Sequence, residues 1–172
     1  FFKNTINEVE SIRLKNIGVI GAGRIGELVL NKVKVFCDNV GYFDPYSNKK
    51  SLKKFKSFST LNSFLKWADI ISINANLNKS NKYLINENFI KKLKKNSILI
   101  NLARYEFIEN IEHIFNAIKK KKLDYVALDI EMREIIKKKL LFKKFLNDYK
   151  ENISIHPHSS FYSKESYIKM RS

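Results

Sequence analysis

The chain has 172 residues, 44% of them hydrophobic, which suits one globular domain with a sizeable core and excludes a disordered chain. No apolar run approaches the roughly 18 residues of a membrane span, no signal peptide opens the chain, and the single cysteine, Cys37, excludes an internal disulfide. A cytoplasmic protein without a membrane partner is therefore expected. The net charge of +16 comes mostly from Lys, 28 of 33 basic residues, alongside abundant Asn, Ile and Phe. This is the bias of A/T-rich codons, and it argues for non-specific attraction to polyanions rather than a specific nucleic-acid partner.

Residues 1–15 read as an approach segment with Ile12 and Leu14 as apolar anchors, and a start at Phe1 rather than Met reads as processing or excision. Ile17, Val19 and Ile20 predict a short buried strand. Gly21-Ala22-Gly23-Arg24-Ile25-Gly26 is a GxGxxG turn, and Ile25, Leu28, Val29 and Val33 follow at helical spacing. Gly21 allows a tight turn, Gly23 presents no Cβ to a pyrophosphate, and Gly26 lets the helix lie close to the sheet. The helix N-terminus adds unpaired N–H groups and partial positive charge. Val40–Phe43 predicts the second strand, ended by Asp44 18 residues after Gly26, where a carboxylate can accept both ribose hydroxyls of an adenosine. Together these predict dinucleotide binding by Gly21, Gly23, Arg24, Ile25, Gly26 and Asp44.

Phe55–Phe58 predicts a short third strand after a lysine-rich connection. Thr60 caps a helix carrying Leu61, Phe64, Leu65 and Trp67, with Trp67 a core residue. Asp69–Asn74 predicts a buried fourth strand, and a helix around Asn86–Leu93 leads to the fifth, Ser97–Asn101. A helix over Glu106–Lys120 turns Phe107, Ile111, Ile114, Phe115 and Ile118 inward. Leu123–Ile130 and Ile153–His156 complete seven strands. Strands alternating with helices predict an α/β fold, a Rossmann-type doubly wound parallel sheet with helices on both faces. No linker divides it.

In such sheets ligands collect beyond the carboxyl ends of the strands. Those ends carry Asp44, Asn74, Arg104, Asp129 with nearby Glu134, and His158. Arg104 can bind a substrate carboxylate in bidentate fashion, His158 can exchange a proton near neutral pH, and Glu134 can orient His158. Each also has a plain structural reading: a surface arginine, a glutamate in a charged Glu-Met-Arg-Glu stretch, a histidine filling a turn. His156 is a neighbouring alternative to His158, and His113 reads as structural. No metal-ligand cluster or nucleophile motif competes.

Across Ile17–Gly26, Tyr42–Tyr46, Ala68–Asn74, Leu84–Asn88, Ser97–Arg104, Val126–Glu134 and His156-Pro157-His158, the chain resembles the NAD-binding domain of D-isomer-specific 2-hydroxyacid dehydrogenases. The resemblance implies an NAD-dependent oxidoreductase that interconverts a small 2-hydroxy acid and its 2-oxo acid by hydride transfer. It implies that Arg104 binds the substrate's carboxylate and carbonyl, that His158 is the acid/base, and that Glu134 is its partner. Asp129 would lie near the nicotinamide amide, Asp44 would select NAD, and Asn74 would lie along the cofactor. Tyr105 and Phe161 stand where glycines are usual, Asn74 where a histidine is common and Asn76 where a proline is common. A homodimer through this domain is also implied. Residues 1–172 read as the cofactor domain alone, with the second, substrate-binding domain largely absent, so the fragment by itself is expected to be inactive. The rival reading is a non-catalytic module that senses NAD(H) and contacts a protein partner.

Overall fold

Parallel strands rich in Ile, Leu and Val must be covered on both faces, and this requirement organises the chain. The computed structural model describes residues 10–130 and 139–156, with position 168. Its strands are β1 (Asn16–Ile20), β2 (Asn39–Phe43), β3 (Lys56–Ser57), β4 (Ile70–Ile73), β5 (Ser97–Asn101), β6 (Leu123–Asp129) and β7 (Ile153–His156). Its helices are α1 (Arg24–Val33), α2 (Leu61–Trp67), α3 (Glu87–Lys92), α4 (Ile111–Lys119) and α5 (Lys139–Tyr149). The strands form one parallel sheet in the order β3-β2-β1-β4-β5-β6-β7, the doubly wound arrangement that the alternation of strands and helices predicts.

Side chains alternate along a strand, so β1 divides the core in two. Ile17 and Val19 meet Leu30 of α1 with Val40, Tyr42, Leu52 and Phe55. Ile20 belongs to the larger cluster, with Phe64 of α2, Phe89 of α3, Ile114 of α4 and Phe142 of α5. Side-chain caps set the starts of three helices: Thr60, Asn86 and Asn110 accept from the backbone N–H groups of Ser63, Phe89 and Glu112. Trp67 is half-buried against Phe58 and Phe64, a core residue as expected.

Four expectations need correction. Ile12 and Leu14 are 51% and 77% exposed on a 3-10 turn, so they anchor nothing among the described residues. In α1, Ile25 and Leu28 face outward, and the sheet is met by Gly26 and Leu30 with Val29 and Val33 beside them. The third strand pairs only through Lys56 and Ser57, while Phe55 and Phe58 drop into opposite core clusters. The helix expected over Glu106–Lys120 is broken. Tyr105–Phe107 is a 3-10 turn, and Ile85 takes both the Phe107 carbonyl (2.8 Å) and the Glu109 N–H (3.1 Å), leaving neither for a helical ladder. α5 lies in a lysine-rich stretch that was not expected to be helical, and it is held by Phe145 stacking on Phe115 at 3.7 Å.

Candidate functional site

β2 lies on one side of β1 and β4 on the other, so the chain diverges at the carboxyl end of β1 and leaves a crevice there. A cavity of about 900 Å³ fills it. Its walls are Gly21, Gly23, Arg24 and Ile25 from the first loop, Asp44, Pro45 and Tyr46 after β2, and Asn74, Asn76, Asn78, Ser80, Asn81 and Leu84 after β4.

The three glycines of the first loop do different things. Gly21 takes φ +87°, and a Cβ on it would lie 2.5 Å from the Ala75 Cα, so both the turn and the loop that follows β4 require glycine. A Cβ on Gly26 would run into the Gly21 carbonyl oxygen, which is why α1 can start so close to the sheet. A Cβ on Gly23 would meet nothing within 4 Å and would project into open space. Gly23 is also the N-cap of α1 and has no side chain to cap it, so the first-turn N–H groups remain available at the cavity wall.

Asp44 follows β2 directly. Its Oδ2 accepts from the Ala22 N–H at 2.8 Å and its Oδ1 from the Tyr46 N–H at 2.9 Å. The carboxylate therefore braces the glycine loop against the β2 turn, and each oxygen keeps acceptor capacity for a hydroxyl. Opposite it, Asn74 donates to the Ser72 Oγ at 2.9 Å. The next residues form an amide web: Asn78 Oδ1 accepts from Ser80 and Asn81, and Asn81 donates to the Asn76 carbonyl at 2.8 Å. A pyrophosphate over the open Gly23 position and a ribose at Asp44 fit this donor and acceptor set, so these residues suit an adenine dinucleotide.

Six of the eight residues expected at the cofactor line this cavity: Gly21, Gly23, Arg24, Ile25, Asp44 and Asn74. Gly26 is buried beneath the loop, and Asp129 lies further along the sheet edge, 3% exposed at the end of β6 and in register with His156. Arg104 is exposed just beyond β5, between these two regions of the edge. Glu134, His158 and Phe161 lie outside the described residues. Tyr46, Leu61 and the amide-rich loop were not expected as cavity walls. Only the Tyr46 position, directly after the Asp44-Pro45 pair, gave a sequence signal for it.

The sequence matches the family described as D-isomer specific 2-hydroxyacid dehydrogenase, NAD binding domain, over residues 3–160. D-3-phosphoglycerate dehydrogenase of Methanocaldococcus jannaschii is 33% identical over 118 residues, 67% of this chain and 22% of that protein. D-lactate dehydrogenase of Leuconostoc mesenteroides subsp. cremoris is 29% identical over 167 residues, 92% of this chain and 50% of that protein. Among solved structures, D-lactate dehydrogenase from Aquifex aeolicus complexed with NAD and lactic acid superposes with a TM-score of 0.84 at 26% identity. That match covers 99% of this chain and 54% of the other. D-lactate dehydrogenase with NAD+ from Lactobacillus jensenii gives 0.79 at 27% identity, over 94% of this chain and 50% of the other. The chain thus spans about half, or less, of the length of each of these relatives. Sheet order, glycine loop, terminal aspartate and a match over nearly the whole length place this chain in the D-isomer-specific 2-hydroxyacid dehydrogenase family, as its NAD-binding domain.

Proposed function

We propose that the protein containing this domain is an NAD-dependent oxidoreductase that interconverts a small D-2-hydroxy acid and its 2-oxo acid. The observation that carries the reading is the crevice at the end of β1, with Gly23 open to it and Asp44 at its rim, inside a domain of this family. The cofactor, when bound, supplies the hydride chemistry at the substrate's C2. Gly21, Gly23, Arg24, Ile25, Asp44 and Asn74 hold its adenosine and pyrophosphate side, Gly26 lets α1 start close beneath them, and Asp129 meets the nicotinamide side. Arg104 pairs with the substrate carboxylate and polarises its carbonyl, as a forked guanidinium can. His158 exchanges the proton on the substrate oxygen, and Glu134 orients it.

The test is oxidation of NADH by the full-length protein with pyruvate, glyoxylate and hydroxypyruvate. Turnover of at least one is the expected result, and no turnover of any counts against the reading. His158→Ala should lower turnover by roughly 10²–10⁴-fold, the usual contribution of a positioned acid/base, with NADH affinity nearly unchanged. Near-normal turnover in that variant, with loss in His156→Ala, would move the role to His156.

A homodimer through this domain belongs to the same proposal. Leu28, Val35 and Phe36 leave an apolar stripe exposed along and just beyond α1, where a second copy would cover it. Sedimentation of the purified protein should report a dimer, and Leu28→Glu with Phe36→Glu should shift it to monomer. A cytoplasmic setting, where thiols stay reduced, suits Cys37. Among the described residues no helix is long and apolar enough to cross a membrane.

A further inference from the structure

Asn101 is a polar residue in an apolar place. It ends β5 with 2% of its surface exposed, and its partners in register are Ile73 on β4 and Leu128 on β6. A buried amide there is tolerated only if its hydrogen bonds are made. They are, and both go to the loop that follows. The Nδ2 group donates to the Arg104 carbonyl at 2.9 Å, and Oδ1 accepts from the Ala103 N–H at 3.3 Å. The Arg104 carbonyl also accepts from the Phe107 N–H at 3.3 Å, across the 3-10 turn. The backbone of Arg104 is thereby held from the strand before it and the turn after it, while the side chain remains exposed.

An apolar side chain would fill the Asn101 site between Ile73 and Leu128 with less desolvation. The amide adds the fold of residues 101–104, and that fold decides where the guanidinium starts from. We propose that Asn101 is the positioning residue for Arg104, setting its backbone so that the guanidinium meets the substrate carboxylate without searching. The inference rests on the reading of Arg104 as the carboxylate anchor. Displacing such an anchor by about 1 Å is enough to cost on the order of 10²-fold.

The experiment is a double-mutant cycle in the full-length protein, with NADH and whichever of pyruvate, glyoxylate or hydroxypyruvate it turns over best. Asn101→Ala and Asn101→Leu should each raise KM for the 2-oxo acid roughly 10- to 100-fold, with a smaller change in kcat. The leucine variant keeps the side chain's branched shape between Ile73 and Leu128, buries no charge and loses both bonds to the loop, so it reports even where the alanine variant folds poorly. NADH affinity should stay within about twofold. In an Arg104→Ala background the Asn101 substitution should add no more than about twofold, because its effect passes through the arginine. An unchanged KM in the Asn101 variants overturns the proposal. So does a full further loss on top of Arg104→Ala, or an NADH affinity that falls in step with KM. If Arg104→Ala itself leaves KM normal, or the wild type turns over none of the three acids, the reading of Arg104 or of the whole activity fails first, and the inference goes with it.

Discussion

Two glycines three positions apart should answer the same substitution in opposite ways. Gly26→Ala places a methyl against the Gly21 carbonyl, so α1 must move off the sheet. It should destabilise the domain by about 1–3 kcal/mol in urea unfolding, the range of an overpacked core. Gly23→Ala meets only open space within the protein, so its stability should stay within about 0.5 kcal/mol of wild type. Its NAD affinity, measured by calorimetry, should nevertheless fall, because the methyl stands where the pyrophosphate lies on the proposed reading. Asp44 belongs to this scale too. A 2′-phosphate would meet its carboxylate at close range, so NAD(H) should bind at least tenfold more tightly than NADP(H). Asp44→Asn should weaken NAD binding by about tenfold, the worth of one charge-assisted hydrogen bond, and narrow that preference. Equal affinities for the two cofactors in the wild type would remove Asp44 from the role.

At the scale of the element, the end of α4 carries a device with an unusual residue in it. Lys121 N donates to the Ile118 carbonyl and Lys122 N to the Ala117 carbonyl, both at 2.9 Å, a helix end that turns the next residue left-handed. The residue in that conformation, at φ 53°, is Lys121 rather than glycine. Lys121→Gly should therefore stabilise the domain by about 1 kcal/mol, or ~3 °C in thermal unfolding, while Lys121→Ala should not. At the other end of the sheet, Glu27 in the first turn of α1 ties down the connection before β3. Its carboxyl is held below its ordinary 4.5, first by the Ser51 hydroxyl and then by the Lys49 ammonium 2.9 Å away. A lowered carboxyl pKa gives stabilisation that is complete above about pH 4.5 and lost as pH falls through the folded value. Glu27→Gln should flatten that part of the acid limb in a pH series of unfolding midpoints. The pair is solvent-facing, so salt should shrink the difference.

At the scale of the molecule, strand order sets the candidate site residues along one line. From β2 through β1, β4 and β5 to β6 there are four strand spacings, about 19 Å, with Asp44 at one end, the glycine loop next, then Asn74 and Arg104, and Asp129 at the far end. On the proposed function, an extended dinucleotide with its adenosine at Asp44 would run toward Arg104 and Asp129, where the acid substrate would be handled. On the proposed function, this domain alone should bind NAD(H) yet reduce 2-oxo acids at least 10²-fold more slowly than the full-length protein. A site open to water loses both orientation and desolvation. Comparable turnover by the two would show that the domain is self-sufficient.

Local rules were enough for much of this. Gly21-Ala22-Gly23-Arg24-Ile25-Gly26 between a strand and a helix, with Asp44 after the next strand, announces its turn and its ligand because each residue is constrained by its neighbours in sequence. β5 and β7 were legible to the residue: Ser97–Asn101 is a short apolar run with polar ends, and Ile153–His156 alternates apolar and polar residues. Contacts between distant segments decided the rest. Ile85 broke the helix expected at Glu106 by taking the Phe107 and Glu109 backbone groups, a choice invisible within residues 106–120. Ile25 and Leu28 turned outward because Gly26 and Leu30 offered the closer fit to the sheet. Asn101 reads in sequence as the polar end of a strand; its bond to Arg104 is local, but its burial comes from Ile73 and Leu128 on strands far away in sequence. Hydrophobic period and turn chemistry act over a few residues. Which side chains are buried, and which backbone groups are left for a helix, depend on partners the chain brings from far away.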